Sequence, residues 1–193
     1  MIQITLDQIK THNPCPGGLQ TLAAAFPDQE IFDFEAVAKT LHFNYVLWGL
    51  RVLPLDQCKQ IAVPFAQFCA EQAASAANDA AKYTSAANDT AAWVVAWVAS
   101  AAEDAWIANA AATNAANAAA WVASAAEDAW IAKQIANYVD EAARYAVYTR
   151  SAASAAYDGN VAYDEDAEMA ADDARDEQRA ELIRLIKTIE NGG

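Results

Sequence analysis

Residues that break helices are missing from the middle of this chain. Its 193 residues include six glycines and five prolines, and none of these lies between Gln67 and Asp158. Alanine dominates this stretch and has the highest helix propensity, so the stretch is predicted to be helical. A single rod of these residues would be about 140 Å long at ~1.5 Å per residue. The apolar positions keep no steady heptad, which argues against a long coiled coil and favours several helices joined by tight turns.

Basic residues are also scarce. The chain has 12 lysines and arginines against 26 aspartates and glutamates, a formal net charge of −14. So few cations argue against direct binding to a nucleic-acid backbone and against binding to anionic membranes. The excess of carboxylates favours attraction to basic surfaces. We therefore expect a basic protein as the partner.

Cysteine and histidine are too few and too scattered to indicate a disulfide framework or a metal site. The cysteines are Cys15, Cys58 and Cys69, with no CxxC pair, and the histidines are His12 and His42. The sequence shows neither a secretion signal nor a transmembrane run. It predicts a reduced, cytoplasmic protein (in the host bacterium's cytoplasm, if phage-encoded) with no metal and no cofactor.

Catalytic motifs are absent as well. The sequence contains no nucleophile elbow, no zinc-protease helix motif and no phosphate-binding loop. The adjacent carboxylates Glu103/Asp104 and Glu127/Asp128 would point about 100° apart on a helix, so neither pair could work as joint acid and base. We expect a protein that is not an enzyme.

A repeated segment organises what the chain does contain. Trp97–Ala108 recurs without a change as Trp121–Ala132. If each copy is helical, its two tryptophans lie on opposite sides, which predicts helices covered on two flanks. The predicted fold is all-α, a compact stack of Ala-rich antiparallel helices. Turns are expected where polar side chains compete for backbone groups, at Asn78-Asp79, Asn88-Asp89-Thr90, Thr113-Asn114 and Asn117.

The repeat leaves two interpretations of its aspartates open. Asp104 and Asp128 lie on a tryptophan stripe, where a buried carboxylate must be hydrogen-bonded or solvated. An indole N–H or a serine hydroxyl from a neighbouring helix would satisfy each carboxylate structurally. The alternative is a ligand cleft of indole faces and carboxylates that holds a base or a cation. That cleft would consist of Trp97, Asp104, Trp106, Trp121, Asp128 and Trp130.

Residues 1–53 differ in composition from the remainder and are predicted to form a small helical N-terminal module. Its helices are expected at Leu19–Phe26, Asp33–Lys39 and Phe43–Val52. Residues 54–193 would then form an Ala/Trp-rich array that ends in an acidic helix.

Weaker patterns predict helix at both ends of these two regions. Ile4, Leu6 and Ile9 indicate an amphipathic turn or helix at the start of the chain. Residues 54–73 have an apolar face and predict a helix that Pro64 either kinks or begins.

The last 30 residues combine an apolar stripe with the densest acidic segment. A helix is expected from about Ala162 to Glu190. Its stripe, which should dock on the bundle, consists of Leu182, Leu185, Ile186 and Ile189. Residues 161–193 contain ten acidic and four basic residues. The candidate partner-binding residues are Asp164, Glu165, Asp166, Glu168, Asp172, Asp173, Asp176 and Glu177, with Glu103 and Glu127 from the repeat.

Four short segments carry a resemblance to a group of proteins. Leu6–Lys10, Pro14–Leu19, Phe26–Asp28 and Phe43–Leu50 resemble a small N-terminal module of phage and bacterial proteins that precedes Ala/Trp-rich helical arrays. The array resembles proteins proposed as immunity proteins of bacterial polymorphic toxin systems. The resemblance implies an all-helical body and assigns no activity to particular residues. Where most such arrays carry arginine, this chain has aspartate, glutamate and asparagine.

Three functions remain open on the sequence. The first is a non-enzymatic acidic protein that inhibits a basic, nucleic-acid-handling target. Such an inhibitor would be a phage anti-defence protein of the anti-CRISPR or DNA-mimic type, or a toxin immunity protein. The second is a binder of a nucleotide-like small molecule in the Trp/Asp cleft. The third is a structural protein whose alanine faces mediate self-association, for example as a homodimer.

Overall fold

The computed structural model describes residues 1–87, 113, 117, 137, 139–150 and 164–191, and for 79–87 and 164–168 it describes the backbone only. Both copies of the repeat lie outside these residues. The helices are α1 (Leu6–Thr11), α2 (Pro16–Ala25), α3 (Phe34–Thr40), α4 (Phe43–Gly49), α5 (Leu55–Ala87), α6 (139–150) and α7 (Asp164–Glu190). A 3-10 turn, Leu50–Val52, follows α4. The predicted all-α fold is confirmed.

Local hydrogen bonds determine where the first helices begin. The Thr5 hydroxyl accepts from the Gln8 backbone N–H at 3.2 Å, and the Gln8 side chain accepts from the Thr5 N–H at 2.8 Å, which forms a capping box on α1. Before α2, the Cys15 Sγ accepts from the Gly18 N–H at 3.2 Å. Asp33 accepts from the Glu35 N–H at the start of α3. Each of these contacts provides a hydrogen-bond acceptor for a backbone N–H that would otherwise be unpaired at the start of a helix.

A short antiparallel pair of strands joins two parts of the N-terminal module. β1 (Gln3–Thr5) pairs with β2 (Ile31–Asp33), with Ile4 opposite Phe32. Both of these side chains are 2% exposed, so the pair has one face in the core. The sequence predicted a turn or helix near Ile4 and did not predict these strands.

Helix α5 continues through two positions where a break or turn was considered. Pro64 lies inside it, and Ile61 and Phe65 beside the proline are completely buried. Burial of these apolar side chains outweighs the hydrogen bond that proline cannot donate. The predicted turn at Asn78-Asp79 is wrong, because the helix runs on to Ala87.

The described residues at two other predicted turns are helical as well. Thr113 and Asn117 both have helical backbone. The turn preference of such residues is small, and neighbouring alanines favour helix at every position. The predicted turn Asn88-Asp89-Thr90 lies outside the described residues.

One hydrophobic cluster connects the N-terminal module with the later helices. It runs from Ile2 through α3, α4, α5 and α6 to Ile186. Helix α7 packs against α5 and α3. The predicted apolar stripe of α7 is confirmed, since Leu182, Leu185 and Ile186 are buried and Ile189 packs against the same cluster.

The boundary between residues 53 and 54 stays a prediction. In the part of the chain described here, no helix is both long and apolar enough to cross a membrane.

Candidate functional site

Helix α7 is held in place by an arginine that reaches the end of α3. One Nη nitrogen of Arg179 donates to the carbonyl oxygens of Ala38 and Leu41, at 2.6 and 2.9 Å. The guanidinium also lies over the Phe43 ring, 5.6 Å from its centroid. Carbonyls at the C-terminal end of a helix lack partners within that helix, and a cation satisfies them well. Arg179 therefore fixes the middle of α7 on the N-terminal module.

A second set of contacts fixes the last turns of α7. The Glu190 carboxylate accepts from the backbone N–H of Ile2 at 2.8 Å. Lys187 lies 3.5 Å from the Glu35 carboxylate, which also pairs with Lys39. The hydrogen bond from Lys39 and the charge of Lys187 hold the pKa of Glu35 below its ordinary value. The C-terminal half of α7 is thus anchored by both apolar and polar contacts.

The N-terminal half of α7 presents carboxylates on the side opposite to the core. Asp172, Asp173, Asp176 and Glu177 are all exposed. At ~100° per residue they fall within an arc of about 140°, which we call the acidic face. The buried residues of the same segment, Ala171, Ala174 and Gln178, fall outside this arc. The helix therefore points its carboxylates into solvent and its small residues inward.

The four carboxylates of the acidic face differ in their partners. Asp172 pairs with Arg175 at 2.7 Å, and Glu177 pairs with Arg150 at 2.7 Å. Asp173 and Asp176 have no ion-pair partner within 4.0 Å among the residues the structure describes. Among the described residues, two negative charges of this face are therefore unpaired.

Glu177 has the most elaborate surroundings of the four. Besides Arg150, the Gln72 side chain donates to the same carboxylate oxygen at 2.6 Å. The hydrogen bonds from Arg150 and Gln72 lower the pKa of Glu177. Glu177 therefore ties α7 to α5 and α6 and stays ionised in mildly acidic solution.

Only part of the predicted partner-binding set can be compared with the structure. Asp172, Asp173, Asp176 and Glu177 are brought together on the acidic face. The backbone of Asp164, Glu165, Asp166 and Glu168 forms the first turns of the same helix. Glu103 and Glu127 lie outside the described residues. So does every residue of the possible ligand cleft, namely Trp97, Asp104, Trp106, Trp121, Asp128 and Trp130.

A polar groove beside the acidic face was not predicted. It has a volume of about 580 Å³ and lies between α4, α6 and α7. Its charged side chains are three aspartates and three arginines, namely Asp140, Arg144, Asp172, Arg175, Asp176 and Arg179. Arg144 pairs with Asp140 at 3.3 Å. The lining comes from three separate segments, which is why no local pattern indicates it.

The described residues offer little for catalysis or metal binding. No group of three or more histidine, cysteine, aspartate or glutamate side chains among them is arranged to hold a metal ion. Cys58 and Cys69 are free thiols buried in the core, and Cys15 is a free thiol at the surface. Burial raises the pKa of Cys58 to about 11 and raises that of Cys69 further, so both stay protonated and unreactive.

Comparison with known proteins identifies no relative. The chain matches no protein-family model, no curated protein and no solved structure. The resemblance to immunity proteins of toxin systems stays a prediction.

Proposed function

We propose that this protein acts without catalysis, by binding a basic, nucleic-acid-handling protein through the acidic face of α7 and so inhibiting it. The observation that carries the proposal is the acidic face itself. Its carboxylates point away from the core on a helix that Arg179, Glu190 and the apolar stripe hold firmly in place. A charged surface on an anchored helix loses little conformational freedom when it binds.

The charge density of this helix supports mimicry of a nucleic acid. Residues 164–177 contain eight acidic residues and one arginine, a net charge of −7. This segment is about 20 Å long, which gives roughly one negative charge per 3 Å. A single strand of B-DNA carries one phosphate charge per ~3.4 Å. Along its axis, this segment of α7 therefore has about the same negative charge per unit length as a single DNA strand.

The overall charge of −14 would assist the encounter. Long-range attraction raises association rates with an oppositely charged partner, and salt weakens it. A cytoplasmic site of action agrees with the three free thiols, which persist in reducing compartments. A phage anti-defence protein and a toxin immunity protein both fit this mode of action.

A capture experiment with charge-matched variants tests the proposal. The tagged chain, a variant with Asp172→Asn, Asp173→Asn and Asp176→Asn, and a control variant would each be incubated with bacterial lysate. The control changes Asp7→Asn, Asp28→Asn and Glu30→Gln, three exposed carboxylates on the N-terminal module. Both variants lose three negative charges, so they differ only in where the charge is removed.

We expect the wild-type chain and the control to retain the same basic, nucleic-acid-binding protein and the acidic-face variant to lose it. Added double-stranded DNA should displace the partner from the wild-type chain. Equal capture of the same protein by all three chains would contradict a role for the acidic face.

A further inference from the structure

A second cavity lies mainly on the N-terminal module, and none of the four carboxylates of the acidic face lines it. It has a volume of about 310 Å³, at the lower end of the roughly 300–1,000 Å³ that small-molecule pockets have. Ile9, Leu22, Val37 and Leu41 contribute apolar side chains from α1, α2 and α3 and the residue after it. The size and lining suit one small ligand with an apolar body. We call this cavity the N-terminal pocket.

Aromatic and polar groups lie together in the lining of the N-terminal pocket. Tyr45 and Trp48 come from α4, and Arg51 from the 3-10 turn that follows it. The Arg51 guanidinium lies 5.8 Å from the centroid of the Trp48 ring, and its Nη2 donates to the Asn137 side chain. The ring and the neighbouring amide hold the guanidinium in place beside the apolar cavity.

The Arg51 side chain has a hydrogen-bond donor that no described residue accepts from. Its Nε is buried and has no hydrogen-bond partner among them, although a buried N–H donor without an acceptor is costly. No carboxylate in the described part of the chain lies within 4.0 Å of its guanidinium. Asp140 also lines the N-terminal pocket and acts on Arg51 through its charge, but it forms its ion pair with Arg144, at 3.3 Å. Arg51 is thus a partly desolvated cation without an ion-pair partner among the described residues.

We propose that the N-terminal pocket binds a small hydrophobic monocarboxylate. The apolar body would lie against Leu22, Val37 and Trp48, and the carboxylate would accept hydrogen bonds from Arg51. A single guanidinium with Asp140 nearby and a net charge of −14 suits one negative charge better than a phosphate dianion. This binding site is independent of the acidic face, so either proposal can fail while the other holds.

Titration of the isotope-labelled full chain with octanoate, and separately with 1-octanol, tests the proposal. The indole N–H signal of Trp48, assigned with a Trp48→Phe variant, reports occupancy of the N-terminal pocket in an NMR spectrum. We expect octanoate to shift this signal saturably and to bind about tenfold more tightly than octanol, because only octanoate gains the charge-assisted hydrogen bond.

Two variants and one control separate the role of Arg51 from effects on folding. Arg51→Met should lower octanoate affinity about tenfold and leave octanol affinity unchanged. Leu19 also lines the N-terminal pocket, from α2, and Leu19→Trp, which fills the pocket, should weaken the binding of both probes. Arg184→Met, at an exposed arginine that pairs with Glu181 on α7, should alter neither.

The circular dichroism spectrum of each variant verifies that it is folded. Absence of a saturable Trp48 shift with octanoate, equal binding of octanoate and octanol, or unchanged octanoate affinity in Arg51→Met would each overturn the assignment.

Discussion

The three thiols illustrate how strongly the position of a side chain determines its chemistry in this protein. Cys15 caps α2 at the surface, whereas Cys58 and Cys69 lie in the core on α5. The buried pair is protonated at physiological pH because desolvation disfavours the thiolate. Reactivity follows the thiolate and its accessibility, so it should be confined to Cys15.

We predict that a disulfide reagent such as DTNB labels one thiol in the native protein and three in denaturant. A Cys15→Ser variant should lose the native labelling and keep two reactive thiols after unfolding. Absorbance of the released thiolate measures both values. Rapid labelling of Cys58 or Cys69 in the folded chain would contradict the burial of these residues.

The lowered pKa of Glu177 makes the stability of the folded protein depend on pH. Its pKa lies below the ordinary value of 4.5 because of the hydrogen bonds from Arg150 and Gln72. A lowered carboxyl pKa in the folded state stabilises the protein above about pH 4.5, and this contribution is lost as the pH falls through the folded-state pKa.

We predict that Glu177→Gln lowers the Tm by about 1–3 °C at pH 7, the size expected for a half-exposed ion pair in a chain of this length. The difference between the variant and the wild-type chain should be smaller at pH 3 than at pH 7, because the stabilisation is lost as the pH falls through the folded-state pKa. Asp173→Asn, on the same face and without an ion-pair partner among the described residues, is the control and should shift the Tm less. Thermal melts at the two pH values measure these effects, and an equal Tm difference at both would contradict this account.

At the scale of elements, the sequence predicted where helices lie better than it predicted which elements pack or pair together. Helices α2, α3 and α4 lie close to the predicted ranges, because apolar periodicity and caps act within a few residues. Strands of three residues leave no such pattern, and β1 and β2 pair only because the chain returns after 25 residues. The N-terminal pocket and the polar groove were not predicted either, because each is lined by segments that are distant in the sequence.

Arg179 is the clearest case of a residue that acts between elements. It was not singled out from the sequence, because it is one of the four basic residues within a strongly acidic segment. In the fold it satisfies two carbonyls, those of Ala38 and Leu41, and covers an aromatic ring.

We predict that Arg179→Met lowers the free energy of unfolding by about 2 kcal/mol, since charge-assisted hydrogen bonds are lost and carbonyls are left without partners. Arg175→Met, which removes only an exposed pair with Asp172, should cost less than about 1 kcal/mol. Urea unfolding followed by circular dichroism measures both. Equal destabilisation by the two variants would contradict the role of Arg179 as an anchor.

On the scale of the whole molecule, the carboxylates of the acidic face are separate from the hydrophobic packing of the described residues. One hydrophobic cluster holds the N-terminal module, α5, α6 and α7 together, and the carboxylates of the acidic face lie outside it. The net charge could be counted from the sequence. Which side of α7 exposes its carboxylates could not, because that depends on which side the hydrophobic core covers. The repeat and its tryptophans, for which the sequence left structural packing and a ligand cleft as alternatives, lie outside the described residues.

The most direct test of the account is the salt dependence of the complex between this protein and its captured partner. We predict that the logarithm of the affinity falls steeply and linearly with the logarithm of salt concentration, as it does for proteins that bind phosphates. The slope should be markedly shallower for the variant with Asp172→Asn, Asp173→Asn and Asp176→Asn and unchanged for the charge-matched control. An affinity that is insensitive to salt, or an equal slope for both variants, would contradict binding through the acidic face.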